Sequence, residues 1–228
     1  MNKAEMQIIA HIRSGFKEKF GIPRQSGLVP DTKATIIFEK KYRNPDAVRG
    51  LEGCSHLWLL WLFSENEQAN DKLTVRPPRL GGNTRLGVFA TRSPFRPSPI
   101  GLSCVKLESI DLTSGSAPVL TVSGADLLDG TPIIDIKPYL AFTDSHPEAV
   151  CPFADEKYSY KLTVSISEEQ AKKLAPSQLE TLVSLLEQDP RPSYQNDSQR
   201  VYGMIYEDHE IKFTVDRDIL TVTEIISI

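Results

Sequence analysis

Acidic residues are missing from one long part of this chain. Between Lys72 and Lys106 there is no Asp or Glu, although the 228 residues include 30 of them and give a formal charge of −4. The same span holds seven lysines and arginines and five prolines. Such segregation of charge predicts an anionic partner. Because prolines fix much of the backbone, we expect a rigid surface whose guanidinium groups bind phosphates or carboxylates.

Familiar nucleotide and metal motifs are also missing. The segment GGNTRLG (81–87) departs from GxGxxG and precedes a predicted strand, which disfavours a Rossmann site. The chain has neither a P-loop nor a GxSxG elbow. The four histidines lie far apart without an HExxH spacing, so no metal site is predicted.

Long hydrophobic runs and paired cysteines are absent as well. No stretch approaches the roughly 18 apolar residues of a membrane-spanning helix. Residues 1–20 lack the unbroken apolar core of a signal peptide. The three cysteines are widely spaced and form no CxxC pair. We therefore predict reduced thiols, no membrane association and a cytoplasmic location.

Short strands dominate the first 140 residues. Apolar and alternating runs predict strands over 6–13, 34–39, 56–63, 86–92, 100–112, 118–128 and 133–136. The run at 56–63 is nearly all apolar, which predicts burial on both faces. Asp129-Gly130 predicts a hairpin between the last two strands. Many strands with almost no helix indicate a β-barrel or a highly curved sheet rather than alternating βαβ units.

The C-terminal part has a different character. Residues 144–156 are polar and acidic, which indicates a linker, and a strand is predicted over 159–167. A capping box at Ser177–Glu180 predicts a helix, and its apolar stripe comprises Leu179, Leu182, Val183 and Leu186. The chain is therefore predicted to be mainly β, with a β-barrel domain at 1–145 and a small α+β domain at 146–228.

A few segments could carry chemistry. Arg92–Leu102 is either a wall that binds an anionic ligand or a loop that braces the mouth of the barrel, and its positive charge favours the first interpretation. Asp126–Tyr139 contains several carboxylates among strand residues, so some should point into a cleft. Burial there would raise their pKa, and nearby arginines would lower it. The loop Pro23–Gln25 is either functional or a solvated connection.

Four blocks of the sequence together resemble one protein family. They are IPRQSGLV (22–29), AVRGLEGCSHLWLLW (47–61), VRPPRLGGNTRLGVFATRSPFRPSPIGLS (75–103) and LLDGTPIIDIKPYL (127–140). These blocks closely resemble the TsaA-like TrmO family, also called the YaeB/VirR family, of S-adenosylmethionine-dependent tRNA methyltransferases. DPRPSY (189–194) resembles the C-terminal extension of bacterial members, so the resemblance covers essentially the whole chain.

The resemblance implies a fold, an assembly and a reaction. The fold is a single-sheeted β-barrel followed by a small C-terminal domain, and members look like homodimers that bind S-adenosylmethionine near the subunit interface. The implied reaction methylates the N6 ureido nitrogen of threonylcarbamoyladenosine beside the anticodon of threonine tRNA. Two other functions remain open, namely a non-catalytic tRNA-binding module and a barrel enzyme that acts on another small anionic substrate.

The family's donor-binding positions carry over by motif. They are Pro23, Arg24, Gln25, Ser64, Glu65, Arg92, Leu102, Asp129, Gly130, Thr131 and Pro132. Two departures from the family pattern matter. Ser98 stands where the family commonly has Asn, and Ser64-Glu65 stands where it often has a His-containing pair. The first departure weakens any role for a side-chain amide at position 98, and the second leaves the contacts at Ser64-Glu65 to backbone groups.

The implied reaction needs few catalytic groups. The donor's sulfonium already activates the methyl group, so alignment of the nucleophile matters most, together with a base for the N–H proton. Asp129 is the first candidate base, and Asp135 and Tyr139 are alternatives. The basic stretch supplies the anion ligands. We expect the donor carboxylate or tRNA phosphates to be bound by Arg92 and Arg96. We expect tRNA phosphates or a second subunit to be contacted by Arg76, Arg79 and Arg85.

Overall fold

The structure is a computed structural model that describes residues 5–66, 73–77, 84–155, 160–191, 195 and 197–228. The strands in these ranges are β1 (Ala10–Ser14), β2 (Lys33–Phe38), β3 (His56–Leu62), β4 (Thr74–Val75), β5 (Leu86–Gly87), β6 (Ile100–Asp111), β7 (Val119–Ser123), β8 (Pro132–Pro138), β9 (Thr163–Ile166), β10 (Tyr202–Tyr206), β11 (His209–Asp216) and β12 (Ile219–Ser227). The α-helices are α1 (Ala141–Asp144), α2 (Pro152–Asp155), α3 (Glu168–Ala171) and α4 (Pro176–Glu187).

Six strands close into an antiparallel barrel in the order β1-β2-β7-β6-β3-β8. The sheet closes where β8 pairs with β1, with Ala10 opposite Ile133. Alternate side chains fill the interior, as the two-residue period of a strand requires. The fully buried members are Ile12, Ile36, Leu57, Leu59, Leu120, Val122 and Ile133. The predicted β-barrel is therefore confirmed.

Strand β3 alternates instead of being buried on both faces, so that prediction was wrong. Leu57, Leu59 and Trp61 face the core, whereas the residues between them are only half-buried. A closed barrel has one interior, so only one face of each strand can enter it. Gly101 lies opposite Trp61 on β6, and a Cβ built there would lie 2.2 Å from the indole. The glycine thus makes room for the tryptophan.

The segment 124–131 turns at Asp129-Gly130 but does not form the predicted hairpin. Strand β7 pairs with β2 and β6, whereas β8 pairs with β1 and β3. The segment must therefore pass β1 and β2 to reach its partners. It buries Ala125 and Leu127 in the barrel core on the way. The predicted strand 118–128 ends at Ser123, since Gly124 has a φ of +76° and leaves the ladder.

The strand predicted over 86–92 is also wrong for most of its length. Only Leu86–Gly87 pairs, with β4, and a 3-10 turn follows at Val88–Ala90. Val88 is 1% exposed, and its N–H donates to the Leu73 carbonyl at 3.0 Å. This burial of one side chain turns the backbone away from a regular strand. The glycines at 81–82 that were expected to lead into it lie outside the described residues.

The C-terminal part is a four-stranded sheet, β10-β11-β12-β9, packed against α4. This confirms the predicted small α+β region. Helix α4 begins at Pro176, with Ala175 as N-cap, and not at the predicted capping box from Ser177. Proline is well suited to the first helical position, and the Gln178 side chain accepts a hydrogen bond from the Ala175 N–H at 3.1 Å.

Two hydrophobic cores run through the protein, one inside the barrel and one beneath the C-terminal sheet. The second core also buries Phe16 and Val29 from the loop between β1 and β2. The division into domains at residue 145 stays a prediction. Among the described residues, the helices are all too short or too polar to cross a bilayer.

Candidate functional site

The loop at residues 15–31 contacts several of the predicted site segments. Lys19 Nζ donates a hydrogen bond to the Glu65 carbonyl at 2.9 Å. The Ser26 hydroxyl accepts a hydrogen bond at 3.0 Å from the N–H of Cys104, a residue of β6. Because the loop is held on one side by the barrel and on the other by the second core, its polar atoms occupy fixed positions.

Arg92 and Gln25 are brought together although they are 67 positions apart in the sequence. The Arg92 guanidinium donates to the Gln25 side-chain oxygen, and the Gln25 amide donates to the Arg24 carbonyl. Arg92 is otherwise exposed. A guanidinium has five N–H donors, so this contact leaves most of them for an anion. Two predicted donor-binding residues therefore form one polar unit.

Arg24 points the other way, toward the C-terminal part. Its guanidinium donates to the carbonyls of Asp189 and Arg191 at 2.9 and 3.2 Å. Asp189 and Arg191 themselves form a buried, two-pronged ion pair. The DPRPSY segment begins at this turn, and its residues 192–194 lie outside the described residues. Arg24 therefore anchors the backbone of Pro23–Gln25 to the turn at residues 189–191.

Asp126 joins the Arg92 region from inside the barrel. Its Oδ1 accepts a hydrogen bond from the Ser103 hydroxyl at 2.6 Å, and Trp61 Nε1 donates to the same hydroxyl at 3.0 Å. Burial raises the pKa of Asp126, although the Ser103 hydrogen bond and the charge of Arg92 oppose the increase. We call Gln25, Arg92, Ser103, Asp126 and Trp61 the mouth cluster.

Asp126 belongs to the segment Asp126–Tyr139 that was predicted to reach a cleft, but it was not among the predicted site residues. One local signal was available, because Asp126 stands between Ala125 and Leu127, both buried in the core. A carboxylate between two core residues on a chain that crosses the barrel must have a polar partner. The partner, Ser103, is 23 positions away, and no local pattern could identify it.

Asp129 lies three residues further on, in a different environment. Its Oδ1 accepts from the Ser14 N–H at 3.0 Å, and Lys17 Nζ donates to its Oδ2 at 2.9 Å. Arg13 adds a second positive charge 3.7 Å from Oδ2. Burial alone would raise the pKa of Asp129, but these hydrogen bonds and charges outweigh it and lower the pKa. Both carboxylate oxygens are engaged with β1 and the loop that follows.

The next three predicted residues, Gly130, Thr131 and Pro132, also lie where β8 meets β1. The Gly130 N–H donates to the Ile12 carbonyl at 2.8 Å, with Gly130 at a φ of +79°. Thr131 is buried, and its hydroxyl donates to the Leu128 carbonyl at 2.7 Å. Pro132 pairs opposite His11. In this structure the contacts of Asp129–Pro132 are with the barrel itself.

The other predicted residues are scattered. Leu102 is 50% exposed on the outer face of β6, opposite Leu60. Asp135 also lies opposite Leu60 and pairs with Lys137 Nζ at 2.8 Å. Tyr139 packs against Trp58 with ring centroids 5.5 Å apart, again outside the barrel. Ser64 closes the turn after β3 through its N–H. Within the described residues, no hydrogen bond or ion pair joins any of these side chains to the mouth cluster.

The basic stretch reaches the surface beside the mouth cluster. Arg76 and Arg85 are exposed and flank the two-stranded ribbon formed by β4 and β5. Arg96 is half-buried, and its guanidinium donates to the Thr91 carbonyl at 3.0 Å. Arg79 lies outside the described residues. Within the described ranges, no three His, Cys, Asp or Glu side chains come together as metal ligands.

The closed antiparallel barrel makes this a β-barrel protein and not a Rossmann enzyme. Comparison with known families identifies it further. The tRNA-methyltransferase O N-terminal domain matches residues 11–145, and the TrmO C-terminal domain matches residues 159–228. The chain belongs to the TrmO family.

Individual relatives agree along most of the chain. A tRNA (adenine(37)-N6)-methyltransferase from Escherichia coli (strain K12) is 41% identical over 223 residues, which are 94% of each chain. An enzyme of the same name from Eikenella corrodens is 43% identical over 175 residues, 76% of this chain and 98% of that one. A crystal structure of TrmO from Pseudomonas aeruginosa superimposes with a TM-score of 0.78 at 34% identity, covering 99% of this chain and 100% of that chain.

Proposed function

We propose that this protein is a tRNA methyltransferase that transfers a methyl group from S-adenosylmethionine to the N6 nitrogen of an adenosine next to the anticodon. The main support for this proposal is the 41% identity to the Escherichia coli tRNA (adenine(37)-N6)-methyltransferase over 94% of both chains. The substrate we infer is threonylcarbamoyladenosine in threonine tRNA. The resemblance described for the sequence blocks supports this finer assignment.

The mouth cluster fits the methyl donor chemically. The donor carries a carboxylate and two cationic groups, and the cluster offers an exposed guanidinium, Arg92, and a carboxylate, Asp126. S-adenosylmethionine supplies an electrophilic methyl group when it is bound. Gln25 holds the Arg92 guanidinium, and the Arg24 anchor holds Gln25 through the backbone. The remaining predicted donor ligands, among them Leu102 and Asp129, stay predictions.

Asp126 is the base we favour for the ureido N–H proton. The Ser103 hydroxyl, which Trp61 Nε1 holds in place, donates a hydrogen bond to one of its oxygens, and within the described residues Asp126 forms no direct ion pair. Its raised pKa brings it closer to the value that a base needs near neutral pH. The three sequence-based candidates, Asp129, Asp135 and Tyr139, remain alternatives to be compared with it.

Four arginines of the basic stretch are proposed to hold tRNA phosphates. Arg76, Arg79, Arg85 and Arg96 belong to a span without acidic residues, which suits a polyanion. Affinity for tRNA should then fall steeply with salt. We further propose a cytoplasmic homodimer, which the resemblance implies. Sedimentation at several protein concentrations tests the dimer, and a monomer at every concentration would refute it.

The reaction is tested with purified protein, S-adenosylmethionine and tRNA that either contains or lacks the threonylcarbamoyl group. Mass spectrometry of the digested nucleosides should show a gain of one methyl group only on the threonylcarbamoylated adenosine. Methylation of both tRNAs would contradict the finer substrate. Absence of any methylated nucleoside, together with no donor binding in calorimetry with or without tRNA, would instead favour a tRNA-binding module without catalysis.

A further inference from the structure

Two exposed phenylalanines lie in the acid-free span. Phe89 is 75% exposed and Phe95 is 45% exposed, and they flank Arg92 in the sequence. A single exposed apolar side chain is ordinary on a protein surface. These two differ from that case because the backbone that carries them is fixed and because their neighbours in the chain are cationic.

The backbone beneath Phe89 holds its ring outward. The neighbouring Val88 is 1% exposed, and its N–H bond to the Leu73 carbonyl ties the turn Val88–Ala90 to the β4–β5 ribbon. Thr91 closes the turn, since its hydroxyl donates to the Val88 carbonyl at 2.9 Å. With Val88 anchored inward, the next side chain is presented to solvent.

Phe95 is fixed by similar local contacts. Its N–H donates to the Ser93 hydroxyl at 3.2 Å, and the Arg96 guanidinium reaches back to the Thr91 carbonyl at 3.0 Å. Pro94 precedes the ring directly, and a proline has a fixed φ. A backbone that is already fixed lowers the conformational entropy lost when the rings bind a partner.

The charge around the rings favours one kind of partner. Arg85 and Arg92 are exposed, and no acidic residue occurs between positions 72 and 106. If a second copy of this chain covered the patch symmetrically, the same basic surface would face itself, and like charges would oppose the contact. A single-stranded RNA loop offers phosphates for the arginines and unpaired bases that stack on aromatic rings.

We propose that Phe89 and Phe95 form a stacking platform for unpaired bases of the RNA loop that presents the target nucleotide. This rests on the proposed function, which supplies an anticodon loop. Arg92 belongs to the mouth cluster, contacts Gln25 and lies between the two phenylalanines in the sequence. The platform therefore binds bases that flank the target, while the target itself enters the barrel mouth.

The test measures the affinity of the full chain for an anticodon stem–loop RNA by fluorescence anisotropy over a range of salt concentrations. Phe89→Ala and Phe95→Ala are each expected to weaken binding on the order of 10-fold. The slope of log affinity against log salt should stay unchanged, because stacking releases few counterions. Arg85→Ala should instead make that slope shallower by about one. Phe89→Trp should retain the affinity.

A spectroscopic readout and a matched control separate stacking from a general loss of structure. With 2-aminopurine in the loop, wild-type protein should quench the fluorescence and Phe89→Ala should quench it less. Phe142 is 88% exposed but lies beside Asp144 outside the basic span, so Phe142→Ala should bind RNA like wild type. Calorimetry with S-adenosylmethionine should show that Phe89→Ala retains donor binding.

The possible failures are distinguishable. If wild type methylates tRNA but Phe89→Ala and Phe95→Ala bind the loop as tightly as wild type, the platform is refuted and the proposed function stands. If wild type neither binds nor methylates tRNA, the proposed function fails and the platform with it. If the alanine variants dissociate a dimer while RNA affinity is unchanged, the phenylalanines belong to a subunit contact and the proposal is overturned.

Discussion

Asp126 and Asp129 are three residues apart on one segment, yet the fold gives them opposite surroundings. Asp126 is held by a serine hydroxyl, and burial raises its pKa. Asp129 is paired with Lys17 and the Ser14 N–H, and its pKa is lowered. The first carboxylate is more basic than an ordinary aspartate and has no direct ion pair within the described residues. The second is less basic, and both of its oxygens are engaged.

This difference separates a residue suited to chemistry from one suited to holding the fold. A proton acceptor needs a pKa near the working pH and access to the reacting atom. A carboxylate that joins β8 to β1 needs partners that stay in place, and Asp129 has them. The comparison predicts that substitutions at the two positions change different quantities.

The largest expected effect is on turnover. Asp126→Asn removes the proton acceptor but keeps the shape of the side chain, so kcat should fall by roughly 10²- to 10⁴-fold, a range typical of general bases. Donor affinity in calorimetry should fall by a smaller factor than kcat, through loss of the counter-charge that Asp126 offers to the cationic groups of the donor. Asp46→Asn, on an exposed turn outside the barrel mouth, is the matched control. A kcat within about twofold of wild type would exclude Asp126 and return attention to Asp129, Asp135 and Tyr139.

The pH dependence of turnover sharpens the same point. Asp126 must be ionised to accept a proton, so kcat should decline as the pH falls through its raised pKa. This acid limb should lie above the ordinary aspartate pKa of about 3.9. In Asp126→Asn the limb should disappear from what turnover remains. An unchanged limb in that variant would assign it to another group.

A smaller effect is expected at the other charge of the mouth cluster. Arg92→Lys keeps the positive charge but loses the planar fork that grips a carboxylate through two hydrogen bonds. Donor affinity should fall by about 10-fold, because a bidentate pair becomes a single contact. Calorimetry measures the affinity directly. Equal affinity in Arg92→Lys and wild type would show that the donor carboxylate binds elsewhere.

The sequence predicted the class of fold because strand periodicity is local, whereas strand order is not. The alternation along β6 and β11 identifies them as half-buried strands without reference to any other part of the chain. By contrast, Asp129-Gly130 has the composition of a hairpin turn, and only closure of the barrel forces β8 to pair with β1 and β3. Val88 likewise leaves the strand conformation, and its N–H donates to the carbonyl of Leu73, the residue before β4.

The same limit applies to the candidate site. Charge segregation located Arg92, and the family resemblance located Gln25, but neither showed that the two side chains meet. The Asp126–Ser103 and Asp129–Lys17 contacts span 23 and 112 positions, so they depend on the completed barrel. The motif of Asp129 predicts a role in catalysis. The contacts that Asp129 and Asp126 make in the folded protein favour Asp126 as the base instead.

The ionised side chain of Asp129 should increase the free energy of unfolding. A lowered pKa in the folded protein means that the ionised carboxylate stabilises the fold above its unfolded pKa, and that this contribution is lost as the pH falls through the folded value. Asp129→Asn should therefore lower the free energy of unfolding by about 1 kcal/mol near neutral pH. The difference from wild type should shrink below about pH 4. Urea unfolding at several pH values measures it.

Asp126→Asn should behave in the opposite way. Its raised pKa means that the ionised form is disfavoured in the fold, so the charge destabilises the protein at pH values above that pKa. Removing the charge should leave the free energy of unfolding at neutral pH unchanged or higher. If both asparagine variants were equally destabilised at neutral pH and both lost turnover, the distinction between the two carboxylates would fail.

The smallest expected effect is at Lys17, whose side chain is 48% exposed. Lys17→Met should destabilise the protein by roughly 0.5 kcal/mol near neutral pH, because an exposed ion pair is weakened by solvent and salt. In the Asp129→Asn background the same substitution should have almost no effect, since its partner charge is already gone. Urea unfolding of the two single variants and the double variant measures this coupling. If Lys17→Met lowered kcat on its own, the Asp129 ion pair would be linked to the reaction, and Asp129 would have to be treated as part of the mouth cluster.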